Sequence, residues 1–365
     1  MPLRTEHVGS LLRPASLIEA RHRFADGAIG REELTAAEDS AIVEALRAQE
    51  QTGIDVVTDG EFRREEFRAG FAAAVSGLEE EEFDLPWRGP EGRVMLRSRR
   101  WRVVGNVTRV EDIALGEAGF LAEHTGRPYK ITLPSPAFLA DRFVIEGGPY
   151  ATTADLAQAF QAIMADEISR LVSAGVSYVQ IDNPGYGVFL DADARARMAA
   201  GGRDPQAAFR AMLAADTALL SSIPRDEATT VALHVCRGNN ASHWMNEGGY
   251  DPVAEELFAT LPVDRLLLEF DDERSGGFSC LAHVPKGRVA VLGLISTKVA
   301  EVESPERLMR RLDDAAASID PDQLAISPQC GFATHAEGAN LLSVEQQYAK
   351  LAVAAETARR WFADG

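Results

Sequence analysis

His234 and Cys236 stand two apart in VALHVCRGN, a stretch of strand-like composition. A period of two turns both side chains to the same face, where they can grip one ion. Cys330 ends another apolar run, in AISPQCGF, and Glu269 ends a third, in LLLEFDD. An imidazole, two thiols and a carboxylate form a tetrahedral donor set that suits zinc, which accepts N, S and O ligands and has no redox chemistry. A free thiol is largely protonated near neutral pH, whereas a cationic metal deprotonates the thiol it binds. The quartet therefore suits the activation of a small thiol for alkylation, with Glu269 as the weakly held ligand that an incoming thiol displaces. Cys280, on a loop after the glycines of Ser275–Gly277, reads as an inert thiol.

Four such residues meet only if the fold gathers the ends of several strands. Short runs rich in Val, Ile and Leu occur at His7–Leu11, Asp55–Thr58, Tyr129–Leu133, Tyr178–Ile181, Thr230–Val235, Arg265–Phe270, Val289–Ile295 and Leu324–Ser327. Between them lie segments with helical apolar spacing at Glu33–Thr52, Thr153–Ala174, Pro205–Ser222, Pro252–Leu261 and Pro305–Ala316, and Val344–Phe362 closes the chain. Strands alternating with helices imply a mainly parallel sheet. The expected fold is α/β, a single (β/α)₈ TIM barrel over residues 1–365, with an open doubly wound sheet as the alternative. The segment Glu79–Val110 breaks the alternation and reads as an inserted, hairpin-like element after the second strand.

Barrel active sites lie at the C-terminal ends of the strands. Reactive side chains cluster there along this sequence: Ser10 after the first run, Asp59 and Glu61 after the second, Asp182 and Asn183 after the fourth, His234 and Cys236 after the fifth, Glu269, Lys298 and Cys330 after the last three. His7, His243, His283 and His335 are further candidates for proton transfer or pocket lining, and Trp101 and Trp244 for stacking on a planar donor.

The 56 acidic residues exceed the 37 basic ones, for a net charge of −19, which repels nucleic acid and anionic membrane surfaces. Neither partner is expected. Three cysteines in 365 residues make no disulfide framework. No signal peptide or membrane span is read in the sequence, so a cytoplasmic protein is expected.

The segments HVGSLLRP, TDGEF, QIDNPGYG, LHVCRGN, LLLEF and ISPQCGF, in this order, resemble the catalytic barrel of cobalamin-independent methionine synthase and its shorter, single-barrel relatives. The resemblance runs from about His7 to Cys330. It implies a cytoplasmic methyltransferase of methionine biosynthesis that moves a methyl group to a zinc-bound homocysteine thiol, with His234, Cys236, Glu269 and Cys330 as the metal ligands. It also implies substrate-binding roles for Ser10, Glu61, Asp182 and the adjacent Asn183. Glu61 and Asp182 suit an ammonium, and the amides near Gly9–Ser10 a carboxylate. Glu303, in VAEVESP, stands where the full-length enzyme carries a histidine, and with His7 it is the candidate for handling a proton. Asp182-Asn183-Pro184 replaces an Asp-Glu-Pro, and the chain has room for one of the full-length enzyme's two barrels, which leaves the alkyl donor open: a folate, a corrinoid, or a methyl-donor protein.

The alternatives are alkyl transfer to another thiol, as in the similar epoxyalkane:coenzyme M transferases, with Arg13, Arg63 or Arg64 pairing a sulfonate, and a non-catalytic protein stabilised by a closed zinc site. Uroporphyrinogen decarboxylase is similar in fold and works without zinc, and the metal quartet argues against it. The acceptor thiol, the proton-handling residue and the oligomeric state, a homo-oligomer included, stay open at this level.

Overall fold

The computed structural model describes residues 3–226, 228–336 and 340–363. Where apolar side chains run unbroken the chain forms short buried parallel strands, since both faces must be covered. Among the described residues these are β3 (Ile131–Pro134), β4 (Tyr178–Asp182), β5 (Thr230–Val235), β6 (Arg265–Glu269), β7 (Val289–Ile295) and β8 (Leu324–Pro328), paired in sequence order in a six-stranded parallel sheet. Each connection passes over a helix or helical turn, as parallel pairing requires.

The two N-terminal runs expected as strands carry only isolated bridges, one just before the first run and one within the second. Thr5 pairs with Ile326 beside β8, and Val57 pairs with Tyr129 just before β3, both parallel. Side chains take over much of the ladder there. Thr58 Oγ1 donates to Gly9 O at 2.7 Å, and Gln49 Oε1 takes the Thr58 amide at 3.0 Å and faces His7 Nε2 at 2.8 Å. The amide of Asp55 donates to Thr5 O, linking the two runs. Val8 and Val56 from these runs pack with Tyr178, Ala232, Leu267, Val291 and Ala325 in one buried cluster against the sheet.

Helices cover the outer face and begin on the signals the sequence carries. Thr152 and Asp155 form a reciprocal cap for Thr153–Ser173, and Ser304 accepts the Arg307 amide at the start of Pro305–Ala316. Ser135 does the same for Pro136–Arg142, a short helix that leaves the end of β3. No described helix is long and apolar enough to cross a membrane.

The segment from residue 75 to 109 forms a long antiparallel ribbon of β1 (Val75–Gly89) and β2 (Gly92–Arg109), starting four residues before the expected boundary at Glu79. Its outward face carries cross-strand ion pairs such as Arg97 with Glu82 at 2.7 Å. Alternate residues Phe83, Leu85 and Trp87 turn the other way. The ribbon is fastened at both ends, by the Arg88–Trp244 bridge near its turn and the Arg102–Val144 bridge farther back. It is thereby held over the C-terminal ends of the strands.

Candidate metal centre

Between those strand ends and the ribbon lies a cavity of about 330 Å³. Its floor carries His234, Cys236 and Cys330, whose donor atoms all lie within 4.8 Å of one another. His234 is the penultimate residue of β5, Cys236 follows that strand, and Cys330 follows β8, so the strands' parallel alignment delivers the three to one place. The two sulfurs are 3.8 Å apart. Four-coordinate zinc with Zn–S bonds of about 2.3 Å has a tetrahedral S···S edge of about 3.8 Å. The donor set and its spacing therefore fit zinc.

The electrostatics match that use. The Cys330 thiol hydrogen-bonded to Cys236, with His234 beside it, draws the Cys236 thiol down to about 5, against the effect of burial. The same shared proton pushes Cys330 up. Burial would lower His234, but the Cys236 thiolate and Asp182 raise it to about 10. A divalent cation that binds these three donors would displace protons from them. Asp182 Oδ1 lies 3.0 Å from His234 Nδ1 and also accepts from Gln180 Nε2 at 2.7 Å, which orients the imidazole; its far nitrogen lies 3.4 Å from Gln329 O.

Glu269 ends β6 fully buried, but it is not in the three-residue cluster. Its carboxylate accepts the Arg237 amide at 2.6 Å, Arg274 at 3.1 Å and Lys298 at 3.3 Å. Burial opposes its ionisation, yet Lys298, Arg237 and Arg274 hold it down at about 2.

Of the expected substrate-binding residues, Ser10, Glu61 and Asp182 line the cavity. Ser10 Oγ donates to Ala333 O at 2.7 Å. Glu61 is held in the left-handed region, at φ 58°, by a tight turn whose Asp59 accepts the Glu61 amide at 2.9 Å. A non-glycine there is costly and signals a side chain placed for use. Its carboxylate accepts from Thr132 at 2.7 Å, and burial raises its pKa despite Arg64. Only glycine fits at position 9, since a Cβ would come within 2.6 Å of that carboxylate.

Asn183, His7 and Glu303 lie outside the cavity wall. Asn183 points into a buried network, donating to Asp216 at 2.6 Å and to Ser135 at 3.2 Å. His7 is locked against Gln49 and, with burial dominant and Lys130 adding to it, is lowered to about 4. Glu303 is bound by the Ser296 amide and by Lys350 at 2.9 Å. Of the other histidines, His335 lines the cavity and His243 and His283 do not.

Arg13, Arg63 and Arg64 are all committed to protein acceptors: Arg13 to the carbonyls of Leu11, Glu61 and Arg64, Arg63 to Asp39, and Arg64 to Glu117 and Thr132. Trp101 packs on Phe143, and Trp244 lies under Arg274. Trp87 is the tryptophan that reaches the cavity. Cys280 is buried and pushed up to about 12 by desolvation, an inert thiol.

The upper wall was not foreseen as part of the site. Phe83, Leu85 and Trp87 of the ribbon face the metal cluster together with Arg142 and Phe138 of the short helix after β3. The alternation Phe83–Leu85–Trp87 was the available signal, since a period of two in a solvent-bounded ribbon leaves one face to be covered by something.

Residues 3–354 match the family model described as cobalamin-independent synthase, catalytic domain. The chain is 38% identical over 360 residues to a Bacillus subtilis (strain 168) protein named uncharacterized protein YxjH, covering 96% of this chain and 92% of that one. It is 27% identical over 344 residues to the 5-methyltetrahydropteroyltriglutamate–homocysteine methyltransferase of Corynebacterium efficiens, covering 91% of this chain and 41% of the longer relative. Among solved structures, a B12-independent methionine synthase from Shewanella sp. W3-18-1, in complex with selenomethionine, superposes with a TM-score of 0.76 at 22% identity, over 100% of this chain and 99% of that one.

Proposed function

This chain belongs to the cobalamin-independent synthase catalytic-domain family, a family of methyltransferases, and from that premise we propose that it is a zinc-dependent thiol methyltransferase acting on homocysteine to give methionine. The observation that carries the reading is the pair of sulfurs 3.8 Å apart beside His234 on the cavity floor. Zinc held by His234, Cys236 and Cys330 would supply the positive charge that keeps an acceptor thiol deprotonated near neutral pH.

The chain's own residues do the rest. Asp182 fixes the orientation and tautomer of His234. Glu269 is the fourth donor in this reading, with Lys298 and Arg274 close enough to receive its carboxylate when a substrate takes its place. Glu61 and Asp182 present carboxylates to the amino group of homocysteine, and Ser10 lies beside them for its carboxylate. The ribbon excludes water from above the thiol. The sheet is read as closing into a (β/α)₈ barrel with the ribbon as an insertion, a reading supported by the bridges of Thr5 and Val57 to opposite edges of the sheet and by the inner cluster both N-terminal runs join.

Calorimetric titration of homocysteine into the zinc-loaded protein, in two buffers of different ionisation heat, tests the assignment. Binding with release of a proton, abolished by chelation, is expected. Tighter binding of coenzyme M than of homocysteine moves the acceptor to the alternative thiol, and no proton release with either refutes thiol activation.

A further inference from the structure

Four arginines line the cavity, and three are neutralised within the protein. Arg68 pairs with Glu66 at 2.9 Å, Arg99 with Glu80 at 3.4 Å and Arg100 with Glu81 at 3.0 Å. Among the described residues Arg142 has no hydrogen bond or ion pair. Its one close partner is the ring of Phe138, at 5.6 Å. The neighbouring Asp141 turns its carboxylate to Arg203, at 3.2 Å.

Arginine stays protonated in proteins and offers its N–H groups in a rigid fork matched to oxyanions. The half-buried Arg142 guanidinium lines the cavity with that fork unused by the protein, so it is free to take an oxyanion that enters there. Placement in the last turn of Pro136–Arg142 offsets the charge through the helix dipole but supplies no acceptor. The surroundings point the same way. His335, in the same cavity wall, is lowered to about 4 by burial, with Arg99 and Arg68 adding to it. Of the acidic residues in the lining, Glu66 and Asp141 are paired with Arg68 and Arg203, and Glu61 and Asp182 lie on the thiol's side.

We propose that Arg142 anchors an oxyanion group carried by the alkyl donor, which lies with its apolar body along Phe83, Leu85 and Trp87 and its transferable group toward Cys236 and Cys330. This assignment rests on the thiol-alkylation reading. It divides the cavity: ammonium-binding carboxylates for the acceptor at the floor, and a guanidinium for the donor under the ribbon. A single-barrel chain thus selects its donor with a helix and a ribbon of its own, and Arg142 determines the specificity.

The test uses the zinc-loaded full chain and four probes of one shape: benzoate, benzenesulfonate, phenylphosphonate and neutral benzamide. Titration calorimetry should find at least one anion binding about tenfold or more tighter than benzamide, the size expected of a charge-assisted fork. The preferred anion identifies the oxyanion class. Arg142→Gln should erase that preference while leaving benzamide binding unchanged, and Arg142→Lys, which keeps charge without the fork, should retain part of it. Anion binding no tighter than that of benzamide, or a preference that survives Arg142→Gln, overturns the proposal. Homocysteine titration of the same variants separates the two claims. Unchanged homocysteine affinity in Arg142→Gln is expected. Loss of zinc or homocysteine in that variant and in Arg142→Lys alike would make Arg142 a structural residue and overturn the anchor. Arg142-dependent anion binding in a wild-type protein that ignores homocysteine would uphold the anchor and sink the thiol reading.

Discussion

The two ends of the parallel sheet both bury charge, and they do so in opposite ways. At the N-terminal ends of the strands, Glu6 is fully buried and accepts from Lys130 at 2.6 Å, Tyr178 at 2.8 Å and Arg265 at 2.9 Å. Both carboxylate oxygens are used. At the C-terminal ends, His234, Cys236 and Cys330 crowd together with lone pairs aimed at one another and at a cavity. Buried charge alone therefore does not mark a functional site. The mark is a set of donors that the protein leaves incomplete, because an unfinished coordination sphere is costly to maintain unless a ligand finishes it. The same criterion distinguishes Arg142 from the other cavity arginines.

Substitutions at the two ends should separate along these lines. The largest effect is expected from Cys330→Ser at the open end. It should lose more than ~100-fold in zinc affinity, since even outer-shell partners of a metal site are worth 10–100-fold, and with it nearly all thiol transfer. Metal analysis of the purified variant reads this directly, and its melting temperature in the presence of chelator should match that of wild type treated alike. At the closed end, Lys130→Met removes one partner of a buried pair and should cost about 3 kcal/mol of folding stability, measured by urea unfolding, with zinc content per folded molecule unchanged. A Lys130→Met protein that lost zinc while keeping full stability would reverse the roles of the two ends.

Asp182→Asn sits between these extremes. It keeps the size of the side chain but cannot hold the His234 ring by a charged acceptor, and about 10–100-fold in zinc affinity should go with little change in the unfolding midpoint. A further effect is one of pH. Burial raises the carboxyl of Glu6, but Lys130 and Arg265 outweigh it and hold it at about 2 against an ordinary value of 4.5. A depressed folded-state pKa contributes stability that is complete above the unfolded value and is lost as pH falls through the folded one. The stability gap between wild type and Glu6→Gln should therefore be constant above pH 4.5 and narrow toward pH 2, as followed by urea midpoints. A gap that stayed constant down to pH 2 would mean that Glu6 is not ionised in the native protein.

Much of this division was legible in the residues. Strands from Thr230 to Val235 and Val289 to Ile295, and helices from Pro205 to Ser222 and Pro305 to Ala316, fall where apolar period and proline or hydroxyl caps place them. The His-x-Cys pair could be read because a strand's period of two is a local property, and Cys330 because it ends a strand. The first two runs carry only single parallel bridges in or beside them rather than ladders: their apolar content is strand-like, but Gln49 and Thr58 satisfy the backbone and His7 in place of a ladder. Glu303 and Asn183 were singled out by position in a motif, and the partners that hold them, Lys350 and Asp216, lie far away in sequence. Arg142 escaped notice for the converse reason. Its significance is the partner it lacks, and an absence of contacts becomes visible only when the wall from residue 75 to 109 is folded over it.

The central claim is that the open end completes itself with zinc and then with a thiol. Zinc X-ray absorption on the purified, metal-loaded protein, with and without homocysteine, tests it most directly by counting sulfurs around the metal. The account predicts a rise from about two sulfurs to about three when homocysteine is added, as for a thiol joining a two-cysteine zinc site. A two-sulfur shell indifferent to homocysteine and to other small thiols would contradict it and make the metal a structural one.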